Sequence, residues 1–259
     1  MQRISDEVLG VLSTLTVESY GSGALVRITA RTIDRKLYLQ VDAALRALGG
    51  NWSRKAGGHV FTGDPVEAID AVILARGYLD RQKALGFFET PPNVAQLVHN
   101  TLEIRDEGAE VLEPSVGRGA LLQGIPWDCS VTAVDVDPVH VHYVEQAYVD
   151  TFEGLAVYCS DFLTWKPRNG QRFDAVVMNP PFARGADVDH IVWALRWLKP
   201  GGRLVSIMGA GITFRQDAKS KMFRELVASF GGSLEPLPED SFKASGTRVS
   251  TMLLELTKD

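Results

Sequence analysis

From residue 109 onward, short apolar runs alternate with stretches of helical period. Segments 109–113, 131–135, 155–161, 175–178 and 202–208 read as strands, and 246–256 as a last strand that ends the sheet. Ile191, Ala194, Leu195 and Leu198 mark a helix closed by Pro200-Gly201-Gly202. Such alternation predicts an α/β fold with a mostly parallel sheet. Ahead of it, Thr90 is placed to cap a helix that starts Pro91-Pro92. That helix turns Val94, Leu97, Val98 and Leu102 to one face.

The first 85 residues follow another pattern. Segment 24–33 alternates like a strand. Asp34 then precedes Leu37, Val41, Ala44, Leu45 and Leu48 at helical spacing, with Gly49-Gly50 as the stop. Segment 52–61 reads as a hairpin with Gly57-Gly58 at its turn. Asp64-Pro65-Val66-Glu67 opens a second helix, with Val66, Ile69, Ile73 and Leu74 apolar and Gly77 as its end. The charged stretch 78–86 reads as a connector. Two parts result: a small α+β unit, 1–85, and an α/β domain, 86–259.

Composition adds limits. Apolar residues make up 45% of the chain and charged residues 23%, as in soluble globular proteins. No apolar run approaches the roughly 20 residues that cross a bilayer, and the N-terminus lacks a signal pattern, so a cytoplasmic location is expected. Cys129 and Cys159 are too few for a disulfide framework and are expected to be reduced and largely buried. Five scattered histidines form no metal-binding spacing, so no metal is expected. A net charge of −5 argues against a dedicated polyanion binder, although local patches still count. Arg203, Arg215, Lys219, Lys221, Arg224, Lys243 and Arg248 form one candidate patch. Residues 1–60 form another, with eight Arg/Lys against five Asp/Glu.

The chemistry gathers where strands end. Segment 173–178 runs into Asn179-Pro180-Pro181-Phe182, and prolines cannot extend a central strand. The chain must leave the sheet there and present Asn179 and Phe182 at the edge where open α/β sheets bind ligands. An amide, a carbonyl and an aromatic ring can hold a flat base and accept hydrogen bonds from its amine. Gly117 and Gly119 let backbone approach a ligand at the first strand-to-helix turn. The third glycine of a dinucleotide fingerprint is replaced by Leu122, which weakens an NAD reading and leaves a smaller nucleoside open. Asp135 can accept from a ribose diol, and Asp161 from an adenine amine, with Phe162 against the ring.

These residues resemble class I S-adenosylmethionine-dependent methyltransferases that act on amino groups. More narrowly, they are similar to gamma-type N6-adenine DNA methyltransferases, including the short forms common on phages and plasmids. Phe88-Glu89-Thr90-Pro91 matches the cofactor-binding F-x-T-P element. Glu113-Pro114-Ser115-Val116-Gly117-Arg118-Gly119 matches the glycine loop, and Asn179-Pro180-Pro181-Phe182 matches the catalytic motif. The resemblance implies a Rossmann-like, mostly parallel seven-stranded sheet with an antiparallel last strand. It implies S-adenosyl-L-methionine as cofactor, bound by Phe88, Thr90, Pro91, Glu113, Pro114, Ser115, Gly117, Gly119, Asp135, Asp161, Phe162 and Asn179, with Thr90 at its methionine carboxylate.

DNA is the implied partner. RNA adenine or guanine, protein glutamine, and an inactive cofactor-binding role are the alternatives. In the implied reaction, Asn179 and the Pro180 carbonyl accept the two amine hydrogens and Phe182 stacks on the base. Only 77 residues follow Phe182, and the fold's last strands use most of them, so recognition is expected from residues 1–85, from the loop 183–189 or from elsewhere. No motif specifies an oligomeric state, a target sequence, or a role in restriction protection over one in regulation. The bet common to all these readings is that the 113–119 turn and the 179–182 corner face one cavity.

Overall fold

The computed structural model describes residues 2–29, 33–78, 88–104, 106–243 and 249–259. The connector expected at 78–86 falls mostly outside them, as do Arg31, Arg248 and the start of the expected last strand at 246–248. The chain divides into two compact units, Met1–Leu85 and Gly86–Asp259.

In the first unit, β1 (Gln2–Arg3) pairs with β6 (Gly77–Tyr78). A four-stranded antiparallel sheet has the order β2-β3-β5-β4: Thr16–Tyr20, Gly23–Arg27, Gly58–Phe61 and Asn51–Ser53. Asp34 caps helix Arg35–Ala47 by accepting from the amides of Lys36 (2.7 Å) and Leu37 (2.9 Å). The 52–61 hairpin is present, with Trp52 opposite His59 and Gly57 at positive φ. Val26, Val41, Ala44, Leu45, Phe61 and Ile69 share the core. Helix Val66–Ala75 ends at Arg76 in the left-handed region, one residue before Gly77. Its Leu74, expected on the buried face, points to solvent, because Val72 takes that face instead.

In the second unit the sheet order is β12-β13-β11-β10-β7-β8-β9. The strands are Glu110–Pro114 (β7), Ser130–Asp135 (β8), Gly154–Cys159 (β9), Phe173–Met178 (β10), Leu198–Gly209 (β11), Ser233–Pro236 (β12) and Thr251–Thr257 (β13). Strands β7 to β11 run parallel, and β13 runs antiparallel to both neighbours. Side chains alternate faces along a strand, so a strand buried on both faces needs two cores. Val111, Val131, Val177 and Val205 feed one, with helix Pro92–Leu102; Leu112, Val134, Val176 and Leu204 feed the other, with helix Ala186–Leu195.

The order reverses at β7. It continues to β8 on one side and has β10 on the other, so a crevice opens between the carboxyl ends of β7 and β10. No described helix is long and apolar enough to cross a membrane.

Several expectations need correction. The turn after β7 leads into one turn of 3-10 helix, Leu122–Gly124, and not into an α-helix. A Cβ on Gly124 would stand 2.1 Å from His99, so the turn lies directly against helix Pro92–Leu102. Leu97 of that helix is exposed, its place taken by Ala95. Cys129 is buried, and burial pushes its thiol up to about 11, whereas Cys159 is exposed. Arg203 leaves the expected basic patch: it lies in the middle of β11, bonded to Glu255 and the Thr101 carbonyl.

Candidate active site

The turn after β7 is built from backbone that side chains rarely adopt. Ser115, Gly117 and Gly119 all have positive φ: +64°, +56° and +76°. For Gly119 the requirement is double, because a Cβ there would meet the Tyr148 ring at 2.7 Å. The Tyr148 hydroxyl donates to the Gly119 carbonyl at 2.8 Å. Sequence reasoning missed this residue, since an aromatic at the end of helix Pro138–Tyr148 signals only packing. Asp135, buried at the end of β8, accepts from the Gly117 amide (2.7 Å) and the Asp137 amide (2.8 Å). It therefore shapes the glycine turn, whatever ligand it also meets.

At the end of β10, the Asn179 amide nitrogen donates to the Phe88 carbonyl and to the Thr90 hydroxyl, each at 3.0 Å. A carbonyl can only accept, so the Phe88 oxygen fixes which end of the amide faces it. The Asn179 Oδ1 then points the other way, and no described residue donates to it. Contrary to the expectation from the sequence, Thr90 does not cap its helix. Pro91 holds that position without a side-chain bond, and the Thr90 hydroxyl serves Asn179 instead.

Phe88, Thr90, Glu113, Ser115 and Asn179 line one cavity, so the turn and the corner share a space. Glu113 is 2% exposed, and its Oε2 has no hydrogen-bond partner. Burial, with Asp135 nearby as a lesser cause, raises its carboxyl well above the usual range. An unpaired buried oxygen of this kind suits a cationic ligand group. The free volume of this cavity is about 10 Å³, room for one water-sized group, so what the residues fit is a small cationic group such as the amino group of S-adenosylmethionine, not the whole molecule.

Pro114 is buried at the end of β7, and Pro91 is buried behind Thr90. Pro180 is buried, while Pro181 and Phe182 are half-buried at the corner, where Phe182 packs on the core. Asp161 follows the end of β9 and accepts from the Leu163 amide at 2.9 Å, exposed and outside that cavity. Phe162 is a correction: its ring is 2% exposed and packs on Trp165 and His190 in the core, so it is not free to cover a nucleoside. Among the described residues, no group of three or more His, Cys, Asp or Glu could hold a metal.

No family model and no curated protein sequence matches the chain. Solved structures do match in fold. A protein of Listeria monocytogenes provisionally assigned to the class I S-adenosylmethionine-dependent methyltransferases aligns over 87% of this chain and 75% of its own, with TM-score 0.55 and 16% identity. A dimethyladenosine transferase from Plasmodium falciparum aligns over 67% of this chain and 64% of its own, with TM-score 0.54 and 16% identity. The 23S rRNA methyltransferase ErmE aligns over 67% and 70%, with TM-score 0.51 and 19% identity. The second unit thus has the Rossmann-like fold of class I S-adenosylmethionine-dependent methyltransferases.

Proposed function

We propose that residues 86–259 transfer a methyl group from S-adenosylmethionine to the exocyclic N6 amine of adenine in nucleic acid, with DNA as the acceptor that the motif order favours. The observation that supports this most is the fixed Asn179 amide. Its nitrogen is tied to the Phe88 carbonyl and the Thr90 hydroxyl, and the residue lines one cavity with Glu113, whose Oε2 has no partner.

S-adenosylmethionine supplies a methyl group that is already electrophilic, carried on a sulfonium. The chain's task is then to position and polarise the acceptor. An adenine amine is a weak nucleophile, because its lone pair is delocalised into the ring. Asn179 Oδ1 and the Pro180 carbonyl accept its two hydrogens and favour a pyramidal nitrogen. Phe182 stacks on the base, worth ~1–3 kcal/mol by analogy with single-strand binders. Glu113, Thr90 and Ser115 hold the methionine end of the cofactor, and Asp135 the ribose. Asp161 meets the adenine through its exposed carboxylate.

RNA adenine is the second reading. It is favoured by similarity in fold to a dimethyladenosine transferase and to a 23S rRNA methyltransferase.

The test is methyl incorporation from labelled cofactor into DNA, RNA and protein. Asn179→Ala should cut incorporation by at least ~10²-fold, the order lost when a positioned polar group is removed. Its cofactor affinity should fall by less than about tenfold, because the Phe88–Thr90 tie is also lost. Undiminished incorporation by this variant would overturn the assignment.

A further inference from the structure

The segment that leaves β11 stands at the same sheet edge as Asn179, and it carries an aromatic ring that the proposed transfer does not use. Phe214 ends the short helix Gly211–Phe214 and is 69% exposed, while Ile212 of the same helix is buried. The backbone that carries the ring is held by side-chain hydrogen bonds. Arg224 Nη1 donates to the carbonyls of Ile212 (2.7 Å) and Arg215 (2.9 Å). The Thr213 hydroxyl donates to the Ala210 carbonyl at 2.8 Å, and the Gln216 amide to the Phe214 carbonyl at 3.1 Å.

The mount is joined to the loop that follows Phe182. The Gly209 amide donates to buried Asp187 (3.0 Å), and Lys219 Nζ bridges the Gly185 carbonyl (2.8 Å) and the Asp189 carboxylate (2.6 Å). A Cβ on Gly209 would stand 3.6 Å from the Phe182 Cβ. Phe182 and Phe214 are thus carried on one connected frame. Of the acids nearby, Asp189 is paired with Lys219, whereas Asp217 accepts from the amide and hydroxyl of Ser220 and keeps its charge near Arg215. Arg184, in the loop after Phe182, and Arg215, next to Phe214 in the chain, are both exposed.

We propose that Phe214 is a nucleic-acid contact. Its ring stacks on a base next to the one held at Asn179, and Arg184 and Arg215 meet the flanking phosphates. An exposed flat apolar ring on the same frame as exposed cations matches stacked bases on a phosphodiester strand, because every base offers a π-face. This assignment rests on the nucleic-acid reading above. DNA and RNA present the same chemistry to it.

The experiment measures binding of fluorescent mixed-sequence DNA and RNA oligonucleotides, single- and double-stranded, to the whole chain with S-adenosylhomocysteine present. Phe214→Ala should weaken binding roughly 5- to 150-fold, the range expected for one lost stacking contact. Phe214→Trp should stay within about threefold of the unsubstituted chain. Cofactor affinity and thermal unfolding should be unchanged in both. The polymer that binds identifies the strand as DNA or RNA. Binding of Phe214→Ala within about twofold of the unsubstituted chain overturns the contact and leaves the methyl-transfer reading standing. If the unsubstituted chain binds neither polymer, the nucleic-acid acceptor falls, and the contact falls with it.

Discussion

Glu113 holds a carboxyl in a place that opposes its charge. One oxygen lacks a partner, and burial raises the folded-state pKa above the unfolded value. The folded state therefore binds the proton more tightly. Glu113's contribution to stability is complete below the unfolded pKa and is lost as pH rises toward the folded one. Glu113→Gln removes the ionisation. The variant should be more stable than the parent at about pH 8, by an amount that shrinks near about pH 5. Denaturant unfolding at the two values checks this, and a gain independent of pH would refute it. Cofactor affinity should fall in the same variant, because a cationic group loses its counter-charge. At this scale the sequence was informative about residue type and position but not about orientation. Asn179, Thr90 and Glu113 were legible as polar groups at strand and helix ends. That Thr90 bonds Asn179 across 89 positions was not, since nothing local distinguishes it from a helix cap.

At the scale of the element, the glycine turn decides the geometry of the cavity. Gly119→Ala forces a side chain into the left-handed region and against Tyr148. The first effect costs about 1–2 kcal/mol and the overpacking a further ~1–3 kcal/mol. The expected result is a lower unfolding midpoint together with weakened cofactor binding. Gly119→Ala combined with Tyr148→Leu should recover part of the stability, and a Gly119→Ala protein with unchanged stability would show that the turn can shift. The elements most visible in the sequence are the five parallel strands, because a strand buried on both faces has few polar interruptions. Strand β12 went unread: it is four residues long, mostly exposed, and ends in Pro236. Strand β2 is exposed along its whole length, so it shows no alternation of burial. The 3-10 turn 122–124 was read as a helix start because alternation in α/β chains favours one there. Its close contact with His99 is a tertiary fact.

Across the whole molecule, the net charge of −5 hides an uneven distribution. In the first unit, Arg27 is paired with Glu18 and Arg46 with Asp42, which leaves Arg35, Lys36, Arg54 and Lys55 exposed. Trp52, 43% exposed, stands edge-on to Tyr38 and to His59. Aromatic rings among unpaired cations are the composition of a nucleic-acid surface, and we propose this unit as an accessory recognition domain. Phosphate contacts release counterions, so each one steepens the fall of binding with salt by about 0.9 in log–log slope on duplex DNA. Arg54→Ala with Lys55→Ala should therefore flatten that slope by about 1–2, with cofactor affinity unchanged. Titrations of a DNA duplex at several salt concentrations would measure it. A slope equal to the parent's would assign these side chains to the solvated surface, and recognition would then rest on the second unit's own edge, where Arg184, Phe214 and Arg215 stand.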